Sequence, residues 1–180
     1  MKLAFITALA LACALSVAGC GGDGAGTNTA PSNAGASKTG ASPAEAQIAT
    51  EAMPDGAFRA GITAENPPAK LTPGQKVELK LRIKNNGSAA WPMRGRPGTG
   101  HFQVNIGDHW YDPDGKEVKY DERLAQPFSI GPGQEAEVVY AIIAPSKAGE
   151  YVVEIDMVQE MVAWFKDKGS QPARLNVRVE

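Results

Sequence analysis

The segment Lys76-Val-Glu-Leu-Lys-Leu-Arg-Ile-Lys84 alternates charged and apolar side chains without a break. Successive side chains of an extended strand point to opposite faces, so Val77, Leu79, Leu81 and Ile83 fall on one face and the charges on the other. Wound as a helix, the same residues would scatter around the axis and leave no stripe to bury. The period of two recurs in Phe58, Ala60, Ile62 and Ala64, and in Phe102, Val104 and Ile106. It returns in Val138, Tyr140 and Ile142, in Tyr151, Val153, Ile155 and Met157, and in Leu175, Val177 and Val179. Each run reads as a half-buried strand that needs a second apolar face to cover it.

Turn signals separate the runs: Pro67-Pro68, Asn85-Asn86-Gly87, Gly107-Asp108, Pro113-Asp114-Gly115, Pro132-Gly133, Ala148-Gly149 and Lys168-Gly169-Ser170. No long window carries a helical stripe. Short strands with such punctuation predict an all-β sandwich or barrel over residues 55–180. That stretch, about 125 residues, is the size of one domain with a real core. Two segments echo each other, Leu71-Thr-Pro-Gly-Gln-Lys-Val77 and Ile130-Gly-Pro-Gly-Gln-Glu-Ala136. Each leads into a long strand, and the pair reads as equivalent edges of one sandwich, not a duplicated domain. Tyr151, opening a strand after Ala144-Pro145, is placed to hydrogen-bond back to the preceding corner, as in a Greek-key tyrosine corner.

The first 54 residues are of another kind. Lys2 precedes an almost wholly apolar run, Leu3 to Val17, which is short for a membrane span of about 20 residues. The run ends in Val17-Ala18-Gly19-Cys20, which resembles the lipobox of bacterial lipoproteins. The resemblance implies a signal peptide over residues 1–19, removed before Cys20, and acylation of the Cys20 thiol and new amino group. Two or more acyl chains make a stable anchor where one does not. Gly21 stands where the enterobacterial sorting rule reads aspartate as inner-membrane retention, which implies the outer membrane, facing the periplasm of a Gram-negative cell. Residues 20–54 are rich in Gly, Ala, Ser, Thr and Pro, with too little to bury to offset chain entropy. They read as a lipidated cysteine followed by a flexible linker.

Cysteine and charge usage narrow the chemistry. The chain's two cysteines are Cys13, in the segment expected to be removed, and Cys20, expected to carry lipid. No thiol is left for a disulfide or a metal cluster in the domain. Loss of Lys2 from 18 basic residues leaves 17 against 20 acidic ones, a net charge of −3. With no basic patch, nucleic-acid binding is not expected.

With the strands placed, a wider resemblance comes into view. Asn85-Asn-Gly-Ser-Ala-Ala-Trp91-Pro92, Gly107-Asp-His-Trp110, Ile130-Gly-Pro-Gly133, Ala144-Pro145, Gly149-Glu-Tyr151 and Asp156-Met-Val-Gln-Glu-Met-Val-Ala-Trp164-Phe165 follow in an order that resembles bacterial immunoglobulin-like domains. These domains are related to the four-tryptophan domain of selective-autophagy receptors. The resemblance covers roughly residues 58–180 and implies an immunoglobulin-like antiparallel β-sandwich of seven to nine strands, Greek key in topology, without catalytic residues. This chain has three tryptophans and not four. Trp91 is the one that aligns with the eukaryotic version.

Candidate chemistry is thin. His101 and His109 with Asp108, Asp112 and Asp114 are residue types that bind metals, but the histidines are eight residues apart, and Asp108 and His109 alternate faces on a strand. Asp112-Pro-Asp114-Gly115 resembles the start of a calcium loop without its closing acid, and a hairpin turn accounts for it. Neither metal nor cofactor is expected. Serines fall in turns outside any nucleophile motif. Glu154 and Asp156 share one strand face, Asp121-Glu122 adjoins Arg123, and both pairs read as exposed sheet-face acids. Met157 and Met161 read as core or lid fillers. Aromatic residues near strand ends remain: Trp110 with Tyr111, and Trp164 with Phe165, expected to contact a ligand or partner. Neighbours on a strand face opposite ways, so one of Trp110 and Tyr111 must leave the core.

The expectation is therefore a non-enzymatic, membrane-anchored envelope lipoprotein whose sandwich binds protein or glycan. A structural envelope component without its own ligand, and a metal-dependent hydrolase, are the alternatives.

Overall fold

A computed structural model describes residues 48–125 and 129–180; Cys20, the apolar run before it and the linker up to residue 47 lie outside the described residues. Among the described residues nine strands follow in chain order: β1 (Ala60–Glu65), β2 (Lys70–Leu71), β3 (Lys76–Asn85), β4 (Val104–Tyr111), β5 (Glu117–Ala125), β6 (Glu135–Ile143), β7 (Gly149–Gln159), β8 (Ala163–Trp164) and β9 (Ala173–Val179). They form two sheets. One has the order β1-β3-β6 and the other β2-β9-β7-β4-β5, with β8 added to the end of β7.

This is the immunoglobulin arrangement, in which first, second and fifth main strands face a sheet built on the third, sixth and seventh. Two side chains mark the same positions that characterise that fold. Trp110 on β4 is buried between the sheets. Tyr151, at the start of β7, donates its hydroxyl to the Lys147 carbonyl at 2.9 Å, the expected tyrosine corner. Among the named strands one pairing departs from the all-antiparallel expectation: β2 runs parallel to β9, Lys70 beside Arg178 and Leu71 beside Val179. The Pro67-Pro68 corner breaks the first strand, and the chain crosses to the other sheet before resuming.

β3 folds as its pattern dictates, with Leu79, Leu81 and Ile83 buried and Lys80, Arg82 and Lys84 exposed. The exposed face carries Arg82 in a cross-strand ionic cluster with Glu65, Glu135 and Glu137. The echoed segments lie at the two ends of the β3–β6 pair, which is antiparallel from Lys76 opposite Ile143 to Lys84 opposite Glu135. They are the entrances of two paired strands, not two edges of the sandwich. Each is a turn with Pro second and a positive-φ Gly third, Gly74 at 72° and Gly133 at 75°. That backbone suits glycine and fits a type II turn.

The core between the sheets holds Leu79, Leu81, Ile83, Ile106, Trp110, Tyr140, Ile142, Val153, Ile155, Met157 and Val177. One end is plugged by aromatic rings. Phe165 meets Phe58 at 5.1 Å and Trp91 at 5.2 Å, both edge to face. Trp91 donates its indole N–H to the Ala57 carbonyl at 2.8 Å, so its one polar atom is satisfied inside the core.

Candidate functional site

β4 and β7 break the half-buried pattern, because both of their faces are covered. Their inner face contributes Asp108, which accepts hydrogen bonds from the Tyr140 hydroxyl at 2.6 Å and the Trp110 indole at 2.8 Å. A buried carboxylate is tolerated when charge-assisted bonds replace its water. Asp108 thereby ties the two sheets together through Tyr140 of β6.

The outer face of the larger sheet carries the other polar set. Gly107 lies opposite Asp156, and His109 opposite Glu154, which in turn lies opposite Arg174. Residues 160–169 fold back over this face, held by the buried ring of Phe165 and by Asp156. The Asp156 carboxylate accepts the backbone N–H of Lys166 at 2.9 Å and that of Met157 at 2.8 Å. The chain then makes a single 3-10 turn at Lys166–Lys168, closed by Gly169 at φ 86°. Glu154 accepts from Lys166 Nζ at 2.6 Å and Arg174 at 2.8 Å. Lys166 also reaches the Tyr111 hydroxyl at 3.0 Å.

Burial pushes the Asp156 carboxyl up to about 6; the backbone N–H groups of Lys166 and Met157 and the nearby ammonium oppose that rise, and Glu154 adds to it. Burial also lowers His109, helped by the Lys166 charge and opposed by Glu117, whose carboxylate lies 3.4 Å from Nδ1, and by Glu154. Burial works against the Lys166 ammonium, but the bonds to Glu154 and Tyr111 outweigh it and raise its pKa. Glu154 and Asp156, expected as exposed sheet-face acids, are therefore buried. The covering segment was not visible in their strand pattern. The side chains of Asp121 and Glu122 lie outside the described residues.

Around this network stand two half-buried rings, Tyr111 and Trp164. His109 stacks against Tyr111 at 6.2 Å and meets the Trp164 ring at 4.3 Å, and the Arg123 guanidinium lies over Trp164 at 4.6 Å. Gly107 makes the room. A Cβ there would come within 2.7 Å of Trp164 Cη2. Trp110 and Phe165 occupy other places than expected: both are fully buried and present no contact surface. In each aromatic pair one ring is spent on the core and the neighbour faces outward.

The remaining sequence candidates resolve into structural roles. The Asp112 side chain accepts from the backbone N–H of Asp114 at 3.1 Å and of Lys116 at 2.9 Å, which makes the β4–β5 turn. Among the described residues no group of three or more His, Cys, Asp or Glu is arranged to hold a metal ion. Met157 is core, whereas Met161 is 75 % exposed, contrary to its expected role as a filler. It occupies the left-handed region at φ 63°, next to a second non-glycine residue there, Phe102 at 71°. Among the described residues no helix is long and apolar enough to cross a membrane.

No protein-family model matches the chain, and no curated protein matches it. Solved structures do. The CARDB domain of a Pyrococcus furiosus protein, in solution, is 17 % identical over 67 % of this chain and 92 % of its own, at a TM-score of 0.37. A crystal structure of that domain in complex with di-metal ions matches at 17 % identity, 68 % of this chain, 86 % of its own and a TM-score of 0.37. The sporulation control protein Spo0M of Bacillus subtilis matches at 18 % identity, over 68 % of this chain and 49 % of its own, with a TM-score of 0.40. Likenesses this distant carry neither activity nor metal to this chain.

Proposed function

We propose that the protein is a membrane-anchored lipoprotein of the bacterial cell envelope, and that its sandwich is a non-catalytic module binding an envelope protein or glycan. The anchor rests on Lys2, the apolar run to Val17 and Val17-Ala18-Gly19-Cys20. Gly21 favours the outer membrane. The ordered motifs from Asn85 to Phe165 resemble those of bacterial relatives of the four-tryptophan domain, which supports reading the sandwich as an interaction module.

The observation that supports a recognition surface is the pair of half-buried rings, Tyr111 and Trp164, fixed on the outer sheet face by Gly107, His109, Arg123 and Lys166. Rings already immobilised lose little conformational freedom on contact, so more of their burial appears as affinity. Charged groups beside them supply directional bonds.

The test is capture from detergent-solubilised membranes by the tagged full chain, compared with Tyr111→Ala and Trp164→Ala chains whose β-type circular dichroism is intact. A partner recovered by the parent and depleted in both variants is expected. Equal recovery removes the two rings from the reading. Cys20→Ala is expected to release the protein into the soluble fraction, and retention in the membrane would remove the anchor.

A further inference from the structure

The chain enters the domain at one particular end of the sandwich. Ile48 forms a parallel bridge with Arg94, and Ala49 donates its N–H to the Arg94 carbonyl at 2.9 Å. Arg96 holds the Thr50 carbonyl at 2.9 Å. The fully buried amide of Gln159 clamps the same stretch, its Oε1 accepting from Met53 N–H at 2.9 Å and its Nε2 reaching the Glu51 carbonyl at 3.3 Å. Gln159 Nε2 also donates to the Phe102 carbonyl at 3.0 Å. Residues 48–53 are thus part of the folded body, and the chain leading to Cys20 departs from the rim formed by Ile48, Arg94, Arg96, Phe102 and Met161.

That rim has an unusual surface. Ile48 is 49 % and Met161 75 % exposed, two of the four large apolar side chains of which this is true among the described residues. Met161 is displayed by a turn in which Val162 N–H bonds the Gln159 carbonyl at 3.0 Å while Met161 takes φ 63°. A non-glycine residue in the left-handed region is a strained piece of backbone. Arg94 and Arg96 are exposed beside them, and the Arg96 guanidinium lies 4.9 Å over the Phe102 ring. Acid is sparser: Glu51 is exposed, and Glu160 is engaged by Arg123 and Asn105.

We infer that this rim docks on an anionic lipid surface, with Met161 and Ile48 entering the headgroup region and Arg94 and Arg96 pairing with lipid phosphates. The inference rests on the Cys20 anchor. Twenty-seven residues separate Cys20 from Ile48. No arrangement of them can reach beyond about 95 Å, so the rim stays close to the anchor and contacts weak in solution gain from the raised effective concentration. Basic side chains are drawn to the negative potential of an anionic lipid surface. The outer sheet face with Tyr111 and Trp164 then stands upright, open to partners from the side.

The experiment uses the lipidated full chain with Met161→Cys or Val118→Cys, labelled with an environment-sensitive fluorophore. Val118 is 45 % exposed and lies near the opposite end of the sheet. Protein is incorporated into phosphatidylcholine vesicles with or without phosphatidylglycerol, and flotation reports anchoring. The label at 161 is expected to brighten several-fold and shift to the blue in the anionic vesicles, the label at 118 to remain unchanged, and Arg94→Gln with Arg96→Gln to abolish the response. Protein that floats with equal signals at 161 and 118, or with no dependence on anionic lipid, overturns the docking and leaves the anchor standing. Protein that does not float removes both.

Discussion

Gln75 and Gln134 do the same work at opposite ends of one strand pair. Each turns its side-chain oxygen back onto a backbone N–H three residues earlier, Thr72 and Gly131 respectively, both at 2.8 Å. Each offers its own carbonyl to the residue where the partner strand departs, Ala144 for Gln75 and Asn85 for Gln134, both at 2.9 Å. The β3–β6 ladder is therefore closed at both ends by one repeated device, and the echo between the two sequence segments is the record of it.

Replacing either glutamine by alanine is expected to cost about 1 kcal/mol, the value of one side-chain hydrogen bond to a turn. Glutamate, which keeps the accepting oxygen, should restore most of it. The two ends are far apart along a nine-residue ladder, so the double alanine variant should show the sum of the single effects in urea unfolding. A strong departure from additivity would contradict independent clamps.

Gly107 is needed for space and not for backbone freedom. Gly107→Ala drives a methyl into the Trp164 ring and should destabilise the protein by about 1–3 kcal/mol, with a red shift of tryptophan emission as the indole is displaced. Adding Trp164→Ala should recover part of the loss. If Gly107→Ala costs the same with or without Trp164, the ring is not what the glycine accommodates.

Asp156 makes stability depend on pH with a definite sign. Its folded-state pKa, about 6, exceeds the ordinary 3.8. The native state therefore binds the proton more tightly, and stability from this group is full below pH 3.8 and lost as pH rises through 6. At about 1.4 kcal/mol per pKa unit the swing is roughly 2–4 kcal/mol. His109 acts oppositely. Its lowered pKa gives stability that is present above 6.5 and lost as pH falls. The two overlap, so the useful quantity is the difference between the parent and Asp156→Asn across pH 4 to 8. That difference should shift in the parent's favour as pH falls; a flat difference would dismiss the Asp156 contribution.

Tyr140→Phe removes the bond that β6 makes to Asp108 across the core. A loss of about 1–3 kcal/mol is expected, because the carboxylate stays buried with one donor fewer. Chemical denaturation measures it, and a neutral substitution would mean that the sheets are held by packing alone at this point.

The fold was largely legible, and the reason is local. Where one face of a strand meets solvent, as in β3, alternation alone assigns every side chain. β4 and β7 lie in the middle of the larger sheet beneath residues 160–169, so Glu154 and Asp156 are buried in positions whose spacing reads as solvent-facing. Nothing in a period of two records a segment that folds back from further along the chain. β5, polar along most of its length, and the two-residue strands β2 and β8 offered too little pattern to be placed. The aromatic pairs were half legible: adjacency required one ring inside and one outside, and burial decided that Trp110 and Phe165 go in while Tyr111 and Trp164 face out.

The parallel clasp of β2 on β9 has a bearing on how the molecule is made. Lys70 must wait for Arg178, 108 positions later, before it has a neighbour. The larger sheet therefore stays unfinished until the segment around Arg178 has been made, and its closure is abrupt, since distant pairings must overcome loop entropy before they stabilise anything.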